Sequence, residues 1–372
     1  KIIGNRGRLS GQELEHHPEL KELDRREFLK DIALFGAFAL LSTSAACKQA
    51  AELPSQLPAP GPVADLPPPQ GADMPVTKVS LVRTPDRTKG VPKAIALLQP
   101  NPVQGKAVVL KPNFNTADPA PGSTHNDTLR ALVLKLKEMG ATKITLAERC
   151  GPMISTREVM QQKGTFDLAR ELGFDIINLE EMEPDGWVLI KPGDSHWKEG
   201  FLFPRVYREA ESIVQTCCLK THAYGGHFTL SLKNAVGMVA GKGHPYMTQL
   251  HTSLNIRQMI AEINTAYSPD LIVLDGVDAF VKGGPDKGTR VQANVILAGN
   301  DRVAIDAVGV AILRSSGTTN EVNRGRIFEQ DQIARAVELG LGIKSPAQIE
   351  LVTDDPESAA FASTIKDILL AG

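Results

Sequence analysis

The sequence predicts an α/β fold, a largely parallel sheet flanked by helices and built from βα units. Three observations carry this. From Val76 onward, short β-branched apolar runs alternate with helical periods. Hydrophobic residues make up 42% of the chain but aromatics only 5%, which asks for an aliphatic core. Several of the apolar runs end in a charged or amide residue, as strands do when they open onto a binding crevice.

In chain order, Ala107 to Leu110 reads as a buried strand running into Lys111-Pro112-Asn113. A helix follows with Leu129, Leu132, Val133, Leu136 and Met139 on one face. Asn126 or Asp127 can cap its start and Gly140 can end it. Lys143 to Ala147 is a strand that runs into Glu148, and a second helix covers roughly Thr156 to Leu172. Asp175 to Leu179 is a strand, while Trp187–Ile190 and Phe201–Val206 suggest short strands or a hairpin. Ser212 to Leu219 is an apolar strand that delivers Lys220-Thr221-His222. A helix from about Leu254 to Tyr267 stops at Pro269. The apolar run Leu271 to Leu274 ends in Asp275, and Val291 to Leu297 is a further strand. Asp301 can cap a helix through Leu313. A helix near 332–339, a strand at 349–352 and a helix over 357–370 complete the domain.

Upstream the pattern changes. Residues 1–47 hold Arg25-Arg26, an apolar run from Ile32 to Leu41 and small residues before Cys47, and so resemble a twin-arginine export signal. The apolar run is shorter than the roughly 20 residues a bilayer span needs. Cys47 is a candidate lipid attachment site, with simple cleavage as the alternative. Residues 48–76 are rich in Pro and Ala and read as a disordered linker. The α/β domain then covers 77–372, with lobes at 77–180 and 200–372 as one way to divide it. The expected location is the periplasm or the outer face of the cytoplasmic membrane, with the twin-arginine machinery as a partner.

A formal charge of −2 gives no reason to expect nucleic acid, and the first 47 residues carry equal numbers of acidic and basic groups, so their removal leaves it unchanged. Beyond Cys47 there are three cysteines. A bridge from Cys150 to Cys217 or Cys218 is open in an oxidising compartment, and the adjacent pair otherwise reads as core packing. With no C-x-x-C, an iron–sulfur cluster held by this chain is not expected.

The chemistry gathers at the predicted strand ends: Lys111 with Asn113, Glu148, Lys220 with His222, and Asp275. A lysine near an apolar sheet face pairs with a carboxylate, becomes a nucleophile or base, or binds an anion; the last is preferred. The glycine loops at 225–226, 241–244 and 282–288 can turn N–H groups toward an anion, but none is a P-loop. His222, His227, His244 and His251 crowd one stretch; His222 with His244, joined by Glu148 or Asp275, is the candidate set for a transition metal such as zinc, nickel or iron, with loop histidines hydrogen-bonded to backbone as the alternative.

These residues give the chain its family likeness. It resembles the domain-of-unknown-function family numbered 362 over about Lys78 to Leu313. The likeness rests on Lys111-Pro112-Asn113, Thr124-His125, Gly140-Ala141 with Glu148, Lys220-Thr221-His222, Leu232-Lys233-Asn234 with Gly237, Asp275-Gly276, Gly284-Pro285 and Asp301 to Asp306. Some relatives carry a ferredoxin-like module, which implies an electron-transfer partner; this chain lacks it. Glu148 stands where an aspartate is common. The plan is also loosely similar to the nickel-dependent lactate racemase family, where a lysine and histidines hold a metal cofactor.

The expectation is thus a pocket for a small anion. Lys111, Lys220 and Lys233 would hold it, Asn113 and Asn234 orient it, and His125 and Gly284 border it. His222, Lys220, Glu148 and Asp275 form the catalytic set of a racemase, lyase or oxidoreductase. The alternative is a periplasmic accessory protein that captures a ligand or metal without chemistry. With His222 as a base, activity should fall below about pH 6.5.

Overall fold

The computed structural model describes residues 76–372 apart from 152, 153 and 242. The stretches expected to be an export signal (1–47, with Cys47) and a linker (48–76) lie outside the described residues, apart from residue 76. The described residues fall within one compact unit.

Nine described strands make its main sheet, in the order β11-β1-β10-β9-β7-β2-β3-β4, with β8 added on β7. These are β1 (Thr77–Arg83), β2 (Ala107–Lys111), β3 (Lys143–Glu148), β4 (Asp175–Asn178), β7 (Ser212–His222), β8 (His227–Thr229), β9 (Leu271–Gly283), β10 (Gly288–Gly299) and β11 (Ile349–Val352). The run β9-β7-β2-β3-β4 is parallel throughout, and β10 lies antiparallel between β9 and β1. The sheet is therefore largely parallel, as the sequence predicts. Because β1 pairs with β10 and β11 while β2 pairs with β7, the candidate lobes at 77–180 and 200–372 share one continuous sheet.

Successive side chains of a strand face opposite ways, and the core divides accordingly. Val79, Leu81, Cys217, Leu219, Ile272 and Leu274 pack on one side with the helix Arg302–Ser315 and the final helix Pro356–Ala371. Val108, Leu110, Ile144, Leu146 and Val273 pack on the other with the helices Arg87–Ala96 and Asn126–Glu138. A third cluster joins Val109, Ala147 and Ile213 to the helix Ile256–Ile263 and to a hairpin of β5 (Trp187–Ile190) and β6 (Phe201–Pro204).

Three local expectations are corrected. The helix near 156–172 is two helices, Thr156–Gln162 and Thr165–Leu172, because Gly164 takes a left-handed φ of 67° between them. His125, rather than Asn126 or Asp127, caps the helix Asn126–Glu138, its Nδ1 accepting from the Asp127 N–H at 3.1 Å. Asp275 does not end its strand. β9 runs on through Gly276 to Gly283 and turns back as β10, so Asp275 lies inside the sheet.

Candidate functional site

The eleven residues of β7 are all buried, including Lys220 and His222. The strand turns through Tyr224 and Gly225 into β8, pairing His222 with His227 and Lys220 with Thr229. Leu230 then leads into the short helix Ser231–Asn234. Buried Asp306 anchors this turn by accepting the Ser231 N–H at 2.7 Å and the Leu232 N–H at 3.2 Å, and burial pushes its carboxyl up to about 8. Gln215 Nε2 donates to the Ser231 carbonyl at 3.0 Å from below. Lys233 and Asn234 are thus carried on a turn fixed by β7 and the helix Arg302–Ser315.

The three lysines of the sequence reading meet three fates. Lys111 at the end of β2 is 1% exposed and sits 2.7 Å from Glu148 Oε1 at the end of β3. It also donates to the Pro112 carbonyl and to Asn234 Oδ1. Glu148 accepts the Phe114 and Arg149 N–H groups, both at 2.9 Å. Burial opposes charge on both, drawing Lys111 down and Glu148 up, while each partner resists the other's shift. This pair neutralises itself.

Lys220 is wholly buried and donates to the carbonyls of Gly122 at 2.6 Å and Pro285 at 2.9 Å, and burial draws it down to about 8. Gly284 makes the second contact possible: its φ is +75°, and a side chain there would collide with the Thr221 carbonyl.

Lys233 is 8% exposed and has no hydrogen bond or ion pair among the described residues. Burial lowers it to about 7, helped by the Lys220 ammonium and the Arg149 guanidinium. His222 lies beside it. A Cβ on Gly226 would stand 2.9 Å from Lys233 Cε and 3.1 Å from His222 Nδ1, so both side chains pack on that bare glycine. His222 Nδ1 is buried without a partner. Burial, then Lys233, His251 and Lys220, hold this imidazole well below its ordinary value. The same shift moves the pH at which His222 would charge downward, and Lys233 is the group of the two drawn to about 7.

The structure therefore brings together two centres: Lys111, Glu148, Asn113 and Asn234, and beside it Lys233 with His222. Asn234 belongs to the first, its Oδ1 accepting from Asn113 Nδ2 at 3.2 Å and its Nδ2 donating to the Thr216 carbonyl. Asp275 is committed elsewhere, to Arg87 Nε at 2.8 Å and the Thr128 hydroxyl at 2.6 Å. His125 is half-buried over the helix start, lowered by burial and by Arg87, and belongs to that second neighbourhood. His244 is exposed and stacks on Tyr246 at 5.5 Å. No three His, Cys, Asp or Glu side chains gather as a metal would need among the described residues, so His222 and His244 find no third ligand there.

Two further corrections concern thiols and cavities. Cys150, Cys217 and Cys218 are free and buried, so no bridge joins them, and burial lifts Cys150 and Cys218 to about 11. Surface depressions of about 560 Å³ and 450 Å³ lie beside β11, around Ile349 and Ile343, away from Lys233.

Sequence reasoning passed over Arg149. It is buried without a carboxylate of its own, its guanidinium donating to the carbonyls of Val239 and Val236 at 2.8 Å and Cys150 at 2.9 Å. Its place directly after Glu148 at a strand exit was the available signal.

A family model described as "Domain of unknown function (DUF362)" matches residues 108–311, more than half of the chain. The chain belongs to this family. The DUF362 range holds Lys111, Glu148, Lys220, His222, Lys233 and Asp306, and leaves β1, β11 and the final helix outside it. The Thylakoid-associated protein sll1697 of Synechocystis sp. is 27% identical over 221 residues, 58% of this chain and 65% of that protein. The match thus spans less than two thirds of the relative. Two solved structures align at a TM-score of 0.39. One is the lactate racemase apoprotein from Thermoanaerobacterium thermosaccharolyticum, 13% identical over 61% of this chain and 54% of the other. The other is a protein from Thermotoga maritima, 12% identical over 74% and 62%.

Proposed function

We propose that this DUF362 protein binds a small anion beside β7 and acts on it by proton transfer, as a racemase, lyase or oxidoreductase does. One observation carries the reading: Lys233 and His222 pack side by side, His222 Nδ1 is buried without a partner, and the ammonium of Lys233, on a residue 8% exposed, has no protein partner among the described residues. A buried polar group left unpaired costs stability unless something else completes it. The cations that bear on Lys233 are Lys220 and Arg149, so the completing group should bring negative charge. A lysine that titrates near pH 7 beside a neutral imidazole is suited to general acid–base work. Lys111 and Glu148 act in this reading as a closed pair that holds Asn234 in place.

Export through the twin-arginine route, with attachment through Cys47, belongs to the same proposal. The relative named for thylakoid association supports a place at a membrane surface. No helix among the described residues is long and apolar enough to cross one.

Calorimetric titration of the full chain with a panel of small carboxylates and phosphates tests the site. At least one should bind, with affinity falling roughly tenfold or more in Lys233→Gln, as loss of a charge-assisted contact implies. Equal affinity in wild type and variant, or no binding across the panel, would remove the reading.

A further inference from the structure

We propose that Lys233 is a nucleophile, and that its ε-amino group forms an imine with the carbonyl carbon of a small 2-oxo acid. This rests on the anion-binding reading above and names the substrate class it would serve.

The geometry separates Lys233 from the other buried lysines near it. An amine attacks carbon only through a free lone pair, so a lysine whose protons are held by acceptors is a poor nucleophile. Lys111 is held by Glu148 Oε1, Asn234 Oδ1 and the Pro112 carbonyl. Lys220 is held by the carbonyls of Gly122 and Pro285. Lys163 lies over the Phe114 ring at 5.1 Å. Lys163, half-buried, has no acceptor either among the described residues and is left to that ring, whereas Lys233 has none and sits on a turn anchored by Asp306 and Gln215, so its stem is well placed. An unpaired amine on a largely buried stem is the arrangement that favours the neutral, nucleophilic form.

His222 supplies the second requirement. Its ring packs on Gly226 next to the Lys233 stem, and its Nδ1 is buried with no partner. Imine formation needs one group to carry protons in both directions. The Lys233 lone pair attacks the carbonyl carbon, the C–N bond forms, and the carbonyl electron pair moves to oxygen. That oxygen takes a proton by way of the imidazole, giving a carbinolamine. The second amine proton then passes by way of Nδ1 to the hydroxyl, which leaves as water as the nitrogen lone pair closes the C=N bond and the imidazole returns to its neutral form. Amine and carbonyl become imine and water, with no change of oxidation state.

The third requirement is the anion. Lys220 and Arg149 place positive charge around Lys233, which favours a carbonyl compound that also carries a carboxylate. A neutral aldehyde would leave that field unanswered.

Glyoxylate and pyruvate with cyanoborohydride provide the test, since hydride converts an imine to a stable secondary amine. Peptide mapping of the full chain should place one adduct on Lys233, absent in Lys233→Arg, and formed roughly 100-fold more slowly in His222→Ala, the scale of lost acid–base assistance. Adducts confined to exposed lysines such as Lys89, or labelling of Lys233 no faster than theirs, would overturn the proposal. Lactate, which has no ketone or aldehyde, separates the two readings. Lactate binding without trapping sinks the imine and leaves the anion site standing. Failure of lactate, both oxo acids and the rest of the carboxylate and phosphate panel to bind or label sinks both.

Discussion

Replacing Lys233 by Met should stabilise the protein while abolishing ligand binding, and the gain should depend on pH. Lys233 falls from its ordinary 10.5 to about 7 on folding, chiefly through burial. At about 1.4 kcal/mol per tenfold, a drop of that size corresponds to on the order of 4–5 kcal/mol of folding free energy. The sign follows from proton counting. Below the folded value both states are charged, and the native state bears the full cost of an ammonium in a dry site. Between about pH 7 and pH 10.5 the unfolded chain binds more protons than the folded one, so stability rises with pH. Above that window both are neutral and the cost is gone. Urea denaturation of wild type and Lys233→Met at pH 6, 8 and 10 measures this directly. The variant should exceed wild type by several kcal/mol at pH 6, with the gap closing toward pH 10. A gap that does not change with pH, or a variant less stable at pH 6, would show that Lys233 is solvated or paired, and the argument for an open cationic centre would fail.

Other perturbations separate the neighbouring groups. Glu148→Gln should cost about 3–5 kcal/mol in urea midpoints by stranding the buried Lys111 ammonium, and adding Lys111→Met should recover most of it. Gly226→Ala should weaken anion binding roughly tenfold, since its methyl meets the flexible end of Lys233 at 2.9 Å and the His222 ring at 3.1 Å; unchanged calorimetric affinity would mean that neither side chain contacts the ligand. In a Cys47→Ser background, Cys150, Cys217 and Cys218 should react with a disulfide reagent only after denaturation, because burial keeps them protonated and covered. A fast-reacting native thiol there would contradict the packing.

The strands were legible because buried parallel strands are continuous apolar runs, and β2, β3 and β7 are of that kind. The long arm of β9 was not. Gly276 and Asp278 interrupt the apolar run there, yet ladder pairing with β10 carries the strand on to Gly283. Asp275 therefore looked like a strand exit, and its partner Arg87 lies far away in sequence. The lysines were found at the right strand ends, but which one pairs with a carboxylate depends on neighbours supplied by other elements. Lys111 meets Glu148 because β2 and β3 are adjacent in the sheet, and no spacing rule within one segment encodes that. Lys233 stands apart for a similar reason, since Asp306 from a distant helix sets the turn that carries it.

The border of the sheet has a practical meaning for work on DUF362 proteins. A fragment trimmed to 108–311 would shed β1 from the flank of β10 and leave a row of backbone donors and acceptors open to other chains. It would also lose Arg87, the guanidinium that joins the carboxylates of Asp275 and Asp278, leaving Asp275 without a cation while Asp278 keeps only Arg290. Such a piece should clump rather than fold, however well its sequence fits the family.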